Sequence, residues 1–216
     1  MEELYIDSVD HRYGDRQVLN GVYLTCKIGE SVGLLGRNGS GKSTLLKIIF
    51  GSLSPHHKHM KINDEFVPIG YLTNQISYLP QGFFIPHYLK IKSLIALYTN
   101  RYQEQLINVE IIRLNLEEQM GNLSGGNRRL VEVLLMIYSD APFILLDEPF
   151  SQLAPLIADE LKSHIQKFKA EKGFIITDHY YRQILEISDR IVLMHNGGNY
   201  AINHEDDLRL HGYLPS

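Results

Sequence analysis

Cysteine is nearly missing from these 216 residues: Cys26 is the single one. One thiol excludes an internal disulfide framework and suits a reducing compartment. A large excess of one charge is missing too. Lys and Arg number 21 against 25 Asp and Glu, a formal net charge of −4. That balance gives no global basic field for an anionic membrane surface or for nucleic acid, so no nucleic-acid partner is expected. No apolar run approaches the roughly 18 residues that a membrane-crossing helix needs. Work at a membrane would therefore pass through a partner. The opening MEELYIDSVD is acidic and lacks the basic-then-apolar pattern of a secretory signal. No internal repeat, low-complexity tract or long linker interrupts the chain.

What remains is ordinary globular composition, 44% hydrophobic and 21% charged, enough for one sizeable core and a small appended lobe. Val22, Leu24, Cys26 and Ile28 alternate as one face of a strand ending at a Gly29 turn, so Cys26 reads as a small core residue. SVGLLG (31–36), ISYLP (76–80), FILLD (143–147), GFIIT (173–177) and RIVLMHNG (190–197) read as buried strands. KSTLLKIIFG (42–51) reads as a helix closed by Gly51. Residues 88–120 are helical in pattern and more charged, and predict a separate lobe. Strands alternating with helices give an α/β fold with a mostly parallel sheet flanked by helices.

GRNGSGKST (36–44) matches G-x-x-x-x-G-K-[ST] after a strand and opening a helix. Glycines 36, 39 and 41 let successive N–H groups curl around phosphate oxygens. Lys42 brings a charge to the β and γ phosphates, and Ser43 offers a hydroxyl to Mg²⁺. FILLDE (143–148) delivers two carboxylates at a strand end. Asp147 suits Mg²⁺ and Glu148 the attacking water, and the alternating pleat is expected to aim them oppositely. In NLSGGNRRL (122–130), Ser124 reads as an N-cap. Gly125 and Gly126 cost helix stability but leave the first-turn N–H groups open to an anion.

GRNGSGKST, LSGGN and FILLDEPF, in that order and at those separations, resemble the nucleotide-binding subunit of ABC ATPases over essentially the whole chain. The resemblance implies a P-loop NTPase core with an antiparallel β subdomain and a short helical subdomain. It implies one nucleotide-binding domain over 1–216, with a core of about 1–81 and 124–216 and a helical subdomain of about 82–138. It implies ATP and Mg²⁺ as ligands, with Gly36, Asn38, Gly39, Ser40, Gly41, Lys42, Ser43 and Thr44 at the phosphates. Tyr13 would stack on adenine. Gln81 would reach Mg²⁺, beside Ser43 and Asp147, and the attacking water. His179 would contact the γ-phosphate and Glu148 would polarise the water. Ser124, Gly125 and Gly126 would cap the ATP of a second subunit, so that two ATPs lie between two chains.

The same resemblance implies ATP hydrolysis coupled to transport. The second subunit would be an identical or a different chain. Separate transmembrane permease subunits would hold the pair at the cytoplasmic face of the cell membrane. A soluble ABC ATPase of the iron–sulfur assembly type is the competing class. A GTPase would want N-K-x-D, which is lacking. The ITDH form of the histidine motif and the tail LRLHGYLP resemble the branch that includes lipopolysaccharide-export and branched-chain amino-acid-uptake ATPases.

Three departures stand out. Asn127 ends the signature where the family has Gln or Glu. Ala154 stands where an aspartate would reach across the pair. The stretch between Gln81 and Ser124 is shorter than the family's usual helical lobe. GFFIPHYL (82–89) is expected either to pack internally or to border a docking groove. HHKH (56–59) is read as a turn after Pro55 in preference to a metal site. Arg128 and Arg129 are read as solvated, or near the subunit seam.

Overall fold

The computed structural model describes residues 2–214. Met1 and Pro215, which fall in the segments MEELYIDSVD and LRLHGYLP, lie outside the described residues, as does Ser216. The chain opens with a hairpin of β1 (Glu3–Tyr13) and β2 (Arg16–Lys27). Then come β3 (Ser31–Gly36), α1 (Lys42–Phe50), β4 (His57–Ile62), β5 (Glu65–Phe66) and β6 (Ile76–Leu79). Four helices follow: α2 (Ile91–Tyr98), α3 (Gln103–Ile107), α4 (Glu110–Leu114) and α5 (Gly125–Ile137). The chain returns through β7 (Phe143–Asp147), α6 (Pro155–Phe168), β8 (Gly173–Thr177) and α7 (Tyr181–Ile187). It ends with β9 (Arg190–His195), β10 (Gly198–Ile202) and α8 (Glu205–Leu210).

The main sheet runs β10-β9-β3-β8-β7-β6, parallel except for its β10 edge. A second, antiparallel sheet runs β2-β1-β4-β5. The pleat explains why the central strands are apolar on both faces. Leu35, Ile144, Leu146, Phe174 and Ile176 point to the side of α5 and α6. Val32, Leu34, Phe143, Leu145 and Ile175 point to the side of α1 and the antiparallel sheet. Each fully buried side chain of this kind contributes about 1.5–3 kcal/mol. Cys26 belongs to the second core, and burial pushes its thiol pKa up.

One expectation is corrected here. HHKH is not a turn, because His57–Ile62 forms β4, with His57 opposite Asp10 and His59 opposite Asp7 of β1. Pairing to a ready strand edge outweighs the turn signal of Pro55, which sits just ahead of the strand. Residues 88–120 form short helices separated by breaks. At the first break, the Asp140 carboxylate accepts from Thr99 Oγ1 at 2.8 Å and from the N–H of Asn100 at 2.9 Å. Helices this short are marginal alone. Ile91, Leu94, Ile95, Leu106 and Ile112 bury into the core that α5 supplies.

Candidate functional site

The loop between β3 and α1 turns on two left-handed glycines, Gly39 with φ 76° and Gly41 with φ 104°. A Cβ at Gly41 would also come within 2.6 Å of Leu19 Cδ2, so the hairpin presses the loop into shape. Lys42, largely buried, folds its ammonium back to donate to the carbonyls of Gly36 at 2.6 Å and Arg37 at 3.2 Å. Burial lowers its pKa, and the nearby Glu148, Asp147 and Asp178 oppose that shift.

Asp147 ends β7 beneath this loop. Its Oδ1 accepts from Ser43 Oγ at 3.0 Å and from Thr177 Oγ1 at 2.9 Å, and its Oδ2 from the Tyr78 hydroxyl at 3.3 Å. Burial, reinforced by Asp147, pushes the Tyr78 pKa up, which keeps the hydroxyl a donor. The hydroxyl and carboxylate oxygens of Ser43 and Asp147 form a hard donor set that suits Mg²⁺, and the side chain of Gln81 lies nearby.

Glu148 does not reach the site by strand alternation. The strand stops at Asp147, and Glu148 adopts φ 54°, a left-handed conformation unfavourable for a side-chain-bearing residue. That turn aims its carboxylate at the P-loop side. Its Oε1 lies 2.7 Å from His179 Nε2, and its Oε2 accepts from Gln81 Nε2 at 2.9 Å. Gln81, Glu148, His179, Tyr13 and residues 38–44 line one cavity of about 370 Å³. Tyr13 is 52% exposed at its rim. A larger cavity of about 630 Å³ lies apart from the P-loop, between the main-sheet edge and the helical segment.

Ser124, Gly125 and Gly126 are not among the residues lining the P-loop cavity. Ser124 does cap α5, with Oγ accepting from the N–H of Asn127 at 3.3 Å. The glycines also allow a close approach within the chain. A Cβ on Gly125 would lie 3.2 Å from Gln152 Oε1, and one on Gly126 3.1 Å from the Gln152 carbonyl.

The reading of Arg128 and Arg129 as solvated is overturned. Arg129 is 2% exposed. Its guanidinium donates to the carbonyls of Pro80, Asp147 and Glu148 at 2.8, 2.7 and 3.0 Å. Arg128 donates to the Ile85 carbonyl at 2.6 Å and lies over the Phe83 ring. Helical spacing was the available signal, since Glu132 stands at i+3 and i+4 from the two arginines.

Two other groups were missed. Arg16 and Val18 line the cavity beside Tyr13, and Arg16 was legible only as part of the same hairpin. Asp178, buried, accepts from the N–H groups of Phe150 and Tyr180, each at 3.0 Å, and so fixes the turn that presents His179. Burial raises its pKa.

The family model described as ABC transporter matches residues 19–151, more than half of the chain. The chain belongs to the ABC transporter ATP-binding family. It is an ATPase of that family. It is 32% identical over 213 residues to the lipopolysaccharide export system ATP-binding protein LptB of Escherichia coli, covering 91% of this chain and 88% of that one. It is 30% identical over 209 residues to a probable ABC transporter ATP-binding/permease protein of Haemophilus influenzae, covering 89% of this chain but 38% of the relative. The fold of this ABC ATPase matches a solved ATP-binding subunit of an ABC transporter with a TM-score of 0.84 at 24% identity, over 99% and 95% of the two chains. No helix among the described residues is long and apolar enough to cross a membrane.

Proposed function

We propose that this ABC ATPase binds Mg-ATP on Tyr13 and residues 36–44 and hydrolyses it only when a second nucleotide-binding subunit closes on it. One observation carries the reading. The cavity that gathers the P-loop, Gln81, Glu148 and His179 is not lined by Ser124–Gly126, which supports a reading in which the two are halves of different sites. The signature helix would cap the γ-phosphate held by the partner, with N–H groups and helix dipole favouring the anion.

Within the site, Lys42 would leave the loop carbonyls for the phosphates. Glu148 would polarise the attacking water, with His179 and Gln81 orienting its carboxylate. Ser43, Asp147 and Gln81 would hold Mg²⁺, which when bound neutralises charge on the β and γ phosphates.

The larger cavity supports a permease partner. Phe50, Tyr71, Tyr78, Phe84, Leu97 and Tyr98 line it, and Leu97 is exposed. A short apolar helix from a separate transmembrane subunit fits that lining, and GFFIPHYL contributes to it through Phe84. Such docking would hold the ATPase pair at the cytoplasmic face of the membrane. The permease would then select the cargo.

The test is Glu148→Gln in saturating ATP, followed by light scattering. Retained ATP binding, turnover reduced by about 10²–10⁴-fold and accumulation of a dimer are expected. A variant that binds ATP yet stays monomeric would overturn the composite site. Purification of the tagged chain from detergent-solubilised membranes should recover an integral-membrane polypeptide in stoichiometric amount. Recovery of soluble companions alone would replace the permease with the assembly-type reading.

A further inference from the structure

The first two turns of α5 bury charge where an amphipathic helix would normally bury leucine. Arg129 and Glu132 are 2% and 0% exposed, and Arg128 is shielded beside them. Nearly every polar contact they make goes to backbone of two other segments. Glu132 Oε1 accepts from the N–H groups of Phe84 at 3.3 Å and Ile85 at 3.2 Å, and lies 3.6 Å from Arg128 Nε. Arg128 donates to the Ile85 carbonyl. Together with the bond from Arg129 to Pro80, these contacts hold the backbone on both sides of Gln81. The other half of the Arg129 fork grips the carbonyls of Asp147 and Glu148, at the left-handed turn that aims the Glu148 carboxylate.

One guanidinium thus joins the signature helix, the peptide before Gln81 and the peptide of Glu148. Burying it is costly, and burial lowers its pKa against the pull of Glu132 and the site carboxylates. An apolar side chain would fill the space without that cost, but it could not connect three backbones. Lysine could not either, because its point charge lacks the planar fork that satisfies separated acceptors at fixed angles.

We propose that Arg129 is a positioning residue that couples the signature helix to the Gln81–Glu148 pair. A displacement of α5 when phosphate seats at Ser124–Gly126 is delivered through the fork to both side chains that address the attacking water. Arg129 itself is not among the residues lining the P-loop cavity. The proposal rests on the reading of Glu148 and Gln81 as the hydrolytic pair.

The experiment compares Arg129→Lys and Arg129→Gln with Glu148→Gln, measuring kcat, KM, nucleotide affinity and thermal midpoint for each. In both Arg129 variants kcat should fall by about 10–100-fold, the cost of misplacing a reacting group by roughly an ångström. Nucleotide affinity should stay within about threefold, because the P-loop is untouched. Adding Arg129→Lys to Glu148→Gln should lower the residual turnover little further, since groups acting as a unit are not additive. Near-parental kcat in Arg129→Lys would overturn the proposal. So would parallel losses of affinity, thermal midpoint and kcat in both variants, or fully multiplicative losses in the double variant. Near-parental turnover in Glu148→Gln would remove the hydrolytic reading and this proposal with it. That failure is recognised because it appears in the variant that leaves Arg129 intact.

Discussion

His179 Nε2 lies 2.7 Å from Oε1 of Glu148, whose other oxygen takes the amide of Gln81 at 2.9 Å. The carboxylate is thereby held from two sides, by a residue after β8 and by one after β6. His179 is 47% exposed while Glu148 is buried, so the imidazole is the solvent-facing wall of the pair. Its turn is fixed independently by Asp178, which bonds the backbone of Phe150 and Tyr180. His179→Ala should therefore leave the loop in place and release the carboxylate. Turnover is expected to fall by about 10²-fold with nucleotide affinity within about threefold, and His179→Gln to recover part of the loss through an amide N–H that can donate to the carboxylate. Steady-state ATPase assays beside equilibrium nucleotide binding give both numbers. Unchanged turnover in the alanine variant would remove His179 from the hydrolytic machinery.

Ala154 is the N-cap of α6, with φ −66°, ψ 152° and no side-chain hydrogen bond to the first turn. Ala is a poor choice at this position, and Asp is among the best, with a typical gain of about 1 kcal/mol. Ala154→Asp should raise the thermal midpoint by roughly 2–4 °C in a chain of this size. It also supplies a carboxylate that would reach across the proposed pair, and should raise ATPase activity or sharpen its dependence on ATP. The two readouts separate the roles. A gain in melting temperature without a change in turnover would confine the effect to the cap.

The parts of the site that were legible are those whose residues are local. The P-loop is contiguous, its glycines declare their backbone need, and β3, β7 and β8 are buried on both faces and so read as apolar runs. Arg129 was misread for the opposite reason. Its acceptors are backbone carbonyls 49, 18 and 19 positions away, and a carbonyl carries no side-chain signature. The strand at HHKH was hidden because its partner edge in β1 lies some fifty residues earlier in the chain. The pleat misleads at Glu148, since a left-handed turn and not strand alternation aims its carboxylate.

Cys26 sits in the core under the hairpin, with Sγ 3.5 Å from the Phe174 carbonyl. Burial, reinforced by Glu30, disfavours the thiolate. Because the thiolate is the reactive form, the native chain should not react with aromatic disulfide reagents at pH 8, whereas the unfolded chain should react at a single thiol. Absorbance at the released thiolate checks this with and without denaturant. Rapid native reaction would show that the hairpin opens on the assay timescale.

Lys172 offers the clearest dependence of stability on pH. Its side chain is 1% exposed, and its ammonium donates to the carbonyls of Ser139 and Ala141 between the rings of Tyr102 and Phe168. Burial lowers its pKa to about 7 from 10.5, with Asp140 and Glu171 opposing. Below about pH 7 the native and unfolded chains both hold the proton, and the buried charge costs its full penalty. Between about 7 and 10.5 the unfolded chain binds a proton that the native chain has shed, so stability from this group rises with pH. Lys172→Met removes the titration and leaves two carbonyls without a donor, at about 1–3 kcal/mol each. The stability gap between the parent and this variant should therefore widen from pH 7 to pH 9. Denaturant unfolding at the two pH values cancels titrations common to both chains. A gap that stays constant would mean that water reaches Lys172 and keeps it charged, and that the junction between the helical segment and the sheet is more open than its packing indicates.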